Sequence, residues 1–307
     1  MQGAGSTTRN SRLDPPSDRP IQLQRRANDP ARPYVPPQPV PPEAVSPAPG
    51  WEATGELGYF HARPRPEVIN PFFADALSEY ATRDTTEPVG VLQVGCLAPL
   101  RELGISGLTD RGLSVSVTIA DEDTPLTRQV LDATEEAYDD VIVGDLRTAP
   151  IPRRAFDIVY CAGLLERVSD VELVLDHITG ALKPGGLLMI RMGDRRAASA
   201  LLDRALPDLA RRRLWRDLHP GAPGPFPAVY EKPVSESGIR SYALMRGLVV
   251  AHHTSEPTLK ANPARLSSTV RTACSVISRL TMGRYGDDHD ELLYVIRKPQ
   301  DRFARVI

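Results

Sequence analysis

The sequence predicts an α/β fold built on a doubly wound, mostly parallel seven-stranded sheet, with a disordered N-terminal tail. Three observations support this prediction: short apolar runs recur along the chain, segments of helical periodicity separate them, and the first 50 residues are rich in proline. Runs that are apolar at successive positions are typical of parallel strands buried on both faces of a sheet. Right-handed crossovers between such strands place helices on both faces.

Seven runs are predicted as strands. The first ends in a glycine, Gly95, and the second alternates in β-branched residues and stops at Asp121. The others are short apolar runs bounded by polar residues, glycine or proline. In chain order the predicted strands are 90–95, 113–120, 140–144, 156–161, 187–191, 247–251 and 291–297.

The segments between these strands have apolar residues three and four positions apart, which predicts helices. Pro71 and Pro125 stand where the first turn of a helix tolerates proline. The run Lys183–Gly186 breaks the preceding helix and turns the chain. The predicted helices are 67–80, 124–137, 171–182, 197–218, 235–246 and 266–280.

The N-terminal composition differs from that of the rest. Of the 30 prolines, 12 fall between Pro15 and Pro49. Such a segment buries too little apolar surface to offset its ordering entropy, so a disordered tail is predicted. An alternative is a ligand for a proline-reading protein partner, because Pro33, Pro36 and Pro39 keep a spacing of three. The predicted organisation is a tail over 1–50, a helical extension over 51–88, a main domain over 89–298 and a C-terminal tail over 299–307.

The bulk composition argues against several classes of function. The net charge of −2 gives no overall attraction to nucleic acid. The three cysteines lie far apart, which favours a reducing compartment. No apolar run reaches the roughly 20 residues of a membrane span, and no apolar signal core is present. We therefore expect a cytoplasmic protein that binds neither membrane nor nucleic acid. We expect no metal site, because His252 and His253 point to opposite faces of a strand.

Four segments carry more specific information. Val91–Pro99 is a strand followed by a turn with one glycine, and Ile119–Asp123 closes the next strand with acidic residues. Val143–Leu146 places Asp145 after the third strand, and a Phe-Asp strand entry follows at 156. Ala181–Gly186 ends a helix in Lys-Pro-Gly-Gly. In this order the segments resemble the class I, Rossmann-like S-adenosylmethionine-dependent methyltransferases over residues 89–192.

The resemblance implies that S-adenosylmethionine is the cofactor and that its methyl group passes to a small-molecule acceptor. Glycine at position 95 lets the backbone approach the ligand closely. A carboxylate after the second strand accepts the ribose hydroxyls, a role given to Asp121, with Glu122 and Asp123 as rivals. The residues implied to bind the cofactor are Gln93, Gly95, Asp121, Glu122, Asp145, Leu146 and Ala162.

The remaining implied roles follow from these positions. Asp145 accepts from the adenine amino group, and Leu146 offers its backbone amide and an apolar contact. Ala162, with Gly163, leaves room for the methionine part of the cofactor. Glu166 is the leading candidate for a general base, with Tyr160 and Asp194 as rivals at the same edge. An acid–base role is needed only if the acceptor must lose a proton.

The glycine turn departs from the family pattern, which leaves alternatives open. The family carries an acidic residue where Gln93 stands, and glycines where Leu97 and Pro99 stand. A catalytically silent methyltransferase-like scaffold is therefore the second hypothesis. A nicotinamide-dependent reductase is the third, although the chain lacks Gly-x-Gly-x-x-Gly. Residues 219–227 are interpreted as either a lid over the substrate or a connector.

Overall fold

The computed structural model describes residues 69–81, 87–134, 138–218, 224–256, 268–287 and 289–300. The predicted tail over 1–50, residues 51–68 and 82–86 of the predicted extension, and residues 301–307 of the C-terminal tail predicted over 299–307 lie outside the described residues. The predicted domain boundaries therefore stay predictions. Within the described ranges, no helix combines the length and the apolar composition that a membrane crossing requires.

The described chain forms the predicted seven-stranded sheet, with the strand order β3-β2-β1-β4-β5-β7-β6. The chain moves from β1 outward to β3, then returns beside β1 to build β4 and β5. These five strands are mutually parallel, and β7 runs antiparallel to both of its neighbours. The doubly wound, mostly parallel sheet is thus confirmed. The strands are β1 Val89–Val94, β2 Val115–Asp121, β3 Asp140–Val143, β4 Phe156–Ala162, β5 Leu182–Gly193, β6 Val249–Glu256 and β7 Glu291–Arg297.

Helices connect the strands largely as the periodicity predicts. Helix α1 begins at Pro71 after an N-cap formed by Asn70, and α3 begins at Pro125 after a cap formed by Thr124. A 3₁₀ helix over Leu100–Leu103 was not predicted. The α-helices are α1 Pro71–Tyr80, α2 Ser106–Thr109, α3 Pro125–Ala133, α4 Val171–Ala181, α5 Ala198–Ala205, α6 Asp208–Leu218, α7 Glu236–Met245 and α8 Ser268–Leu280.

Several predicted boundaries are wrong. The strand predicted over 247–251 is observed as β6 over Val249–Glu256, because it pairs with β7 along that length. The single helix predicted over 197–218 is two helices, because Leu206 before Pro207 has an extended backbone with ψ 131°. The turn predicted at Lys183–Gly186 is instead the irregular start of β5, which begins at Leu182. Gly186 is required there, because a β-carbon would lie 2.8 Å from the Asp157 carbonyl oxygen.

Successive side chains of the strands point to opposite faces of the sheet, where they pack into two apolar cores. Val159 and Cys161 of β4 face α4 and α7, whereas Ile158 and Tyr160 face α1, α2 and the 3₁₀ helix. The sheet is therefore covered on both faces, as runs that are apolar throughout predict. Covered faces leave the edge at the carboxyl ends of the strands as the place where polar loops gather.

Candidate functional site at the carboxyl edge of the sheet

Four loops meet at the carboxyl ends of β1, β2, β3 and β4. The strand order reverses between β1 and β4, and ligands of open α/β sheets bind outside the strand ends at such a point. All the sequence-predicted cofactor residues lie on or beside these strand ends. The fold therefore brings them to one edge, as the sequence predicts.

Gly95 lies where the loops after β1 and β4 touch. Its φ is +96°, and a β-carbon at this position would lie 2.8 Å from the Ala162 carbonyl oxygen and 3.2 Å from the Leu164 β-carbon. Packing of the protein on itself therefore requires glycine at this position. The same contact places Ala162 directly beside the loop.

The Gln93 side chain hydrogen-bonds two carbonyl groups of this loop. Its side chain is buried, and Nε2 donates to the carbonyl oxygens of Gly95 at 3.1 Å and Ala98 at 2.8 Å. Its Oε1 is buried without a hydrogen-bond partner among the described residues. Gln93 therefore stabilises the loop and leaves one buried acceptor for a further group.

Asp121 is the most completely bonded of the predicted residues. Its Oδ1 accepts from the Glu122 amide at 2.7 Å, and its Oδ2 accepts from the Cys96 amide at 2.8 Å. Nη2 of Arg167 donates to both oxygens at 2.7 Å. A carboxylate offers about four lone-pair sites, so these four bonds use its capacity as an acceptor.

Arg167 is the residue that sequence reasoning missed at this site. The side chains of the Arg167–Asp121 pair are 6% and 0% exposed. The guanidinium carbon lies 4.4 Å from the centre of the Phe226 ring, in the geometry of a cation–π contact. No motif or periodicity predicts this pairing, because the two residues are 46 positions apart in sequence.

Phe226 belongs to the segment interpreted as a lid or a connector. The amides of Val229 and Tyr230, which follow this segment, donate to the Glu166 carbonyl oxygen at 2.9 and 3.0 Å. The chain directly after this segment is therefore hydrogen-bonded to the loop after β4, and Phe226 of the segment contacts Arg167 of the same loop. Residues 219–223 lie outside the described residues.

Glu122 and Leu146 join the loops after β2 and β3. Oε1 of Glu122 accepts from the Leu146 amide at 3.2 Å. Partial burial raises the pKa of the Glu122 carboxyl. The Glu122 side chain is half-buried, and the Leu146 side chain is fully buried in the core. The structure thus brings two predicted cofactor residues into direct contact.

Asp145 lies on the exposed side of the same loop. Arg147 bonds both of its oxygens at 2.8 Å and lowers the pKa of Asp145 to about 2. The other end of the guanidinium of Arg147 bonds Asp170 at 2.7 Å. Asp145 is therefore ionised at neutral pH and remains at the surface.

Glu166 lies between the ends of β4 and β5. Its Oε1 accepts from the Gly193 amide at 2.9 Å, and its Oε2 is buried without a partner among the described residues. Removal from water raises the pKa of the Glu166 carboxyl. A buried carboxyl with one unpaired oxygen is chemically suited to exchanging a proton.

The other residues considered from the sequence have structural partners. Tyr160 is fully buried and donates to Glu102 at 3.3 Å, and burial raises the pKa of its hydroxyl. Asp194 accepts from the Arg196 amide. His253 stacks on Tyr294 with ring centres 5.7 Å apart. In the part of the chain that the structure describes, no group of three side chains could hold a metal ion.

Residues 93–190 match the family model described as a methyltransferase domain. The sequence matches no curated protein. A solved S-adenosylmethionine-dependent methyltransferase from Mesorhizobium loti shares 16% identity over 73% of this chain and 97% of its own, with a TM-score of 0.41. A putative sarcosine dimethylglycine methyltransferase from Galdieria sulphuraria shares 14% identity over 75% of this chain and 85% of its own, with a TM-score of 0.41.

A third solved structure is the complex between the Haloferax volcanii Trm112 methyltransferase activator and the putative methyltransferase. The matched chain shares 18% identity over 75% of this chain and 94% of its own, with a TM-score of 0.44. Each of these is a protein that this chain resembles at low identity. The match over 93–190 shows a methyltransferase domain in this part of the chain, and the motifs that carry the resemblance stand in the same order on the observed strands.

Proposed function

We propose that the chain binds S-adenosylmethionine at the carboxyl edge of the sheet and transfers its methyl group to a small-molecule acceptor. The observation that carries this proposal is the direct bonding between the loops after β1, β2 and β3. Cys96 bonds Asp121, and Glu122 bonds Leu146, so the cofactor loops form one connected surface at the switch point.

The side chains at this edge fit the cofactor, with one change of role. Asp121 has no acceptor capacity left while Arg167 is bound to it, so we assign the ribose hydroxyls to Glu122. Glu122 is half-buried and uses one oxygen for the Leu146 amide, so its carboxylate keeps acceptor capacity. Asp145 is ionised and suited to the adenine amino group. The unpaired Oε1 of Gln93 is suited to the ammonium of the methionine part.

The protein's own contribution to methyl transfer is position and environment. The cofactor supplies an electrophilic methyl group on a sulfonium. Glu166 lies at the β4–β5 end of the same edge, where its unpaired Oε2 accepts a proton from an acceptor that must lose one. Because the pKa of the Glu166 carboxyl is raised, its carboxylate binds a proton more readily than that of an exposed glutamate.

A catalytically silent scaffold is the second candidate, and one observation favours it. The Arg167–Asp121 pair satisfies the buried carboxylate without any ligand. An enzyme releases S-adenosylhomocysteine when it is supplied with the cofactor and a metabolite extract, and a scaffold releases none. This measurement separates the two candidates.

Calorimetric titration of the full chain with S-adenosylmethionine and S-adenosylhomocysteine tests the cofactor site. We expect Glu122→Gln and Asp145→Asn to weaken binding about tenfold or more, because each removes a charged hydrogen-bond acceptor. Asp123→Asn is the matched control, since Asp123 is an exposed neighbour that pairs with Arg128. Absence of binding at millimolar ligand would contradict the proposal, and loss of binding in Asp123→Asn would contradict the assignment of residues.

A further inference from the structure

Arg167 carries a buried donor that the protein does not use. Its side chain is 6% exposed, and Nη2 serves Asp121. Its Nε is buried and has no hydrogen-bond partner among the described residues. Buried donors of folded proteins are nearly always paired, so this nitrogen is available to an anionic or carbonyl group of a ligand.

The position of Arg167 indicates which part of a ligand would supply that partner. Its Nη2 lies 3.8 Å from the place that a β-carbon on Gly95 would occupy. The same point lies 2.8 Å from the Ala162 carbonyl oxygen, where the proposed site takes the methionine part of the cofactor. Arg167 therefore lies beside the amino-acid end of the ligand rather than beside its adenine.

Charge and packing make this guanidinium suited to a carboxylate. Asp121 neutralises one side of the group, and Phe226 covers a face of it. The neutral Gln93 stands where the family carries an acidic residue, so this chain has no second negative charge at that position. An added ligand carboxylate therefore meets a fixed, partly desolvated cation, for which charge-assisted hydrogen bonds are strong.

We propose that Arg167 binds the α-carboxylate of the cofactor's methionine part, and that it makes the site specific for adenosyl ligands that carry this carboxylate. Gln93 Oε1 lies beneath the same loop and receives the neighbouring ammonium. Arg167 keeps its bond to Asp121, so the pair acts as one unit that holds the guanidinium in place. This inference rests on the proposed function.

Two ligands that differ only in this group provide the test. S-adenosylmethionine and decarboxylated S-adenosylmethionine are titrated into the full chain by calorimetry. We expect the decarboxylated ligand to bind about tenfold more weakly or worse, which is the loss of one charge-assisted hydrogen bond. In Arg167→Met this difference disappears, because S-adenosylmethionine binds as weakly as its decarboxylated form. Arg246→Met is the matched control, since Arg246 pairs with Asp176 on α4, and it keeps the difference.

A second variant keeps the test valid if Arg167→Met does not fold. The double variant Asp121→Asn, Arg167→Met removes both charges and leaves no buried carboxylate unpaired, and it too should bind the two ligands equally. Retained discrimination in either folded variant overturns the inference. Equal binding of the two ligands by the wild-type chain overturns the inference but leaves the proposed function standing. Absence of binding of both ligands overturns both.

Discussion

At the scale of single residues, the Asp121–Arg167 ion pair buries two charges. The desolvation free energy of each charge is offset only while both partners are present. Each charge has left water and is compensated by the other, and Asp121 also accepts from two backbone amides. We expect Arg167→Met to lower the free energy of unfolding by about 3 kcal/mol, because a buried carboxylate is left without its cation. Urea denaturation measures this loss.

The double variant Asp121→Asn, Arg167→Met is the control for that prediction. We expect it to recover a large part of the lost stability, because two uncharged side chains need no counter-ion. If the double variant is less stable than the single one, packing around Phe226 rather than charge determines the stability of this site.

Gly95 gives a second prediction at this scale. We expect Gly95→Ala to cost about 1–3 kcal/mol or more, because the residue adopts a φ of +96° and its β-carbon would press on the Ala162 carbonyl. Gly144→Ala is the matched control, since a β-carbon there meets nothing within 4 Å. Chemical denaturation of both variants should show a large loss for the first and about 0.5 kcal/mol or less for the second.

Glu166 gives a prediction about pH. Its folded-state pKa is raised above the ordinary 4.5, so the folded protein binds more protons than the unfolded chain between the two values. Wild-type stability therefore falls as pH rises from about 4.5 to the raised pKa, relative to Glu166→Gln. We expect the two proteins to have equal unfolding free energies near pH 4 and the variant to be more stable at pH 8.

Glu79→Gln serves as the control for this pH dependence, because the Glu79 side chain is 61% exposed. Its difference from the wild type should stay small at both pH values. A difference for Glu166→Gln that shrinks as pH rises would show that the carboxylate form is the one the fold stabilises.

At the scale of elements, one carboxylate joins a helix to three strands. Asp157 on β4 accepts from the Tyr80 hydroxyl of α1 at 3.0 Å, the Gly90 amide of β1 at 2.9 Å and the Lys183 ammonium of β5 at 2.8 Å. We expect Asp157→Ala to cost about 3 kcal/mol, because it removes the counter-ion of a half-buried cation and one hydrogen bond from each of two other donors. Tyr80→Phe, which removes one neutral donor, should cost about 1 kcal/mol.

Asp132→Ala is the control for this element-scale prediction, since Asp132 is an exposed residue of α3. Denaturation should leave its stability within about 0.5 kcal/mol of the wild type. If Asp157→Ala costs no more than this control, α1 is held by its apolar face alone, through Phe73 and Leu77.

The elements also show what sequence patterns can predict. Strand β7 has the predicted bounds 291–297, because a continuous apolar run between polar residues has only one way to be buried. The split between α5 and α6 was missed because helical periodicity continues across Pro207, whereas the backbone before a proline does not. The start of β5 depends on pairing with β4, which is not a local property.

At the scale of the whole molecule, the location of the candidate site at the edge of the sheet could be predicted from the sequence. The contacts between side chains within the site could not. The motifs place Gln93, Asp121, Asp145 and Ala162 at the carboxyl ends of strands, and strands that alternate with helices run parallel and therefore end at the same edge. The Arg167–Asp121 pair was not predictable, since it depends on the relative position of two loops that only the packed sheet determines. The same holds for Phe226, which approaches from a segment distant in sequence.

The last prediction concerns the stability of the whole chain with ligand bound. A ligand at about 100 times its Kd adds about 2.7 kcal/mol to the stability of the folded state. For a domain of this size we expect S-adenosylmethionine to raise Tm by roughly 5–10 °C. The rise should be the same for a chain that starts at residue 51, because every residue proposed to touch the cofactor lies between 93 and 167. A nicotinamide dinucleotide is the control ligand and should give no shift in Tm.

A smaller rise in the Tm of the shortened chain would mean that residues 1–50 contribute to the ligand site. A rise with the dinucleotide alone would favour the reductase hypothesis over methyl transfer.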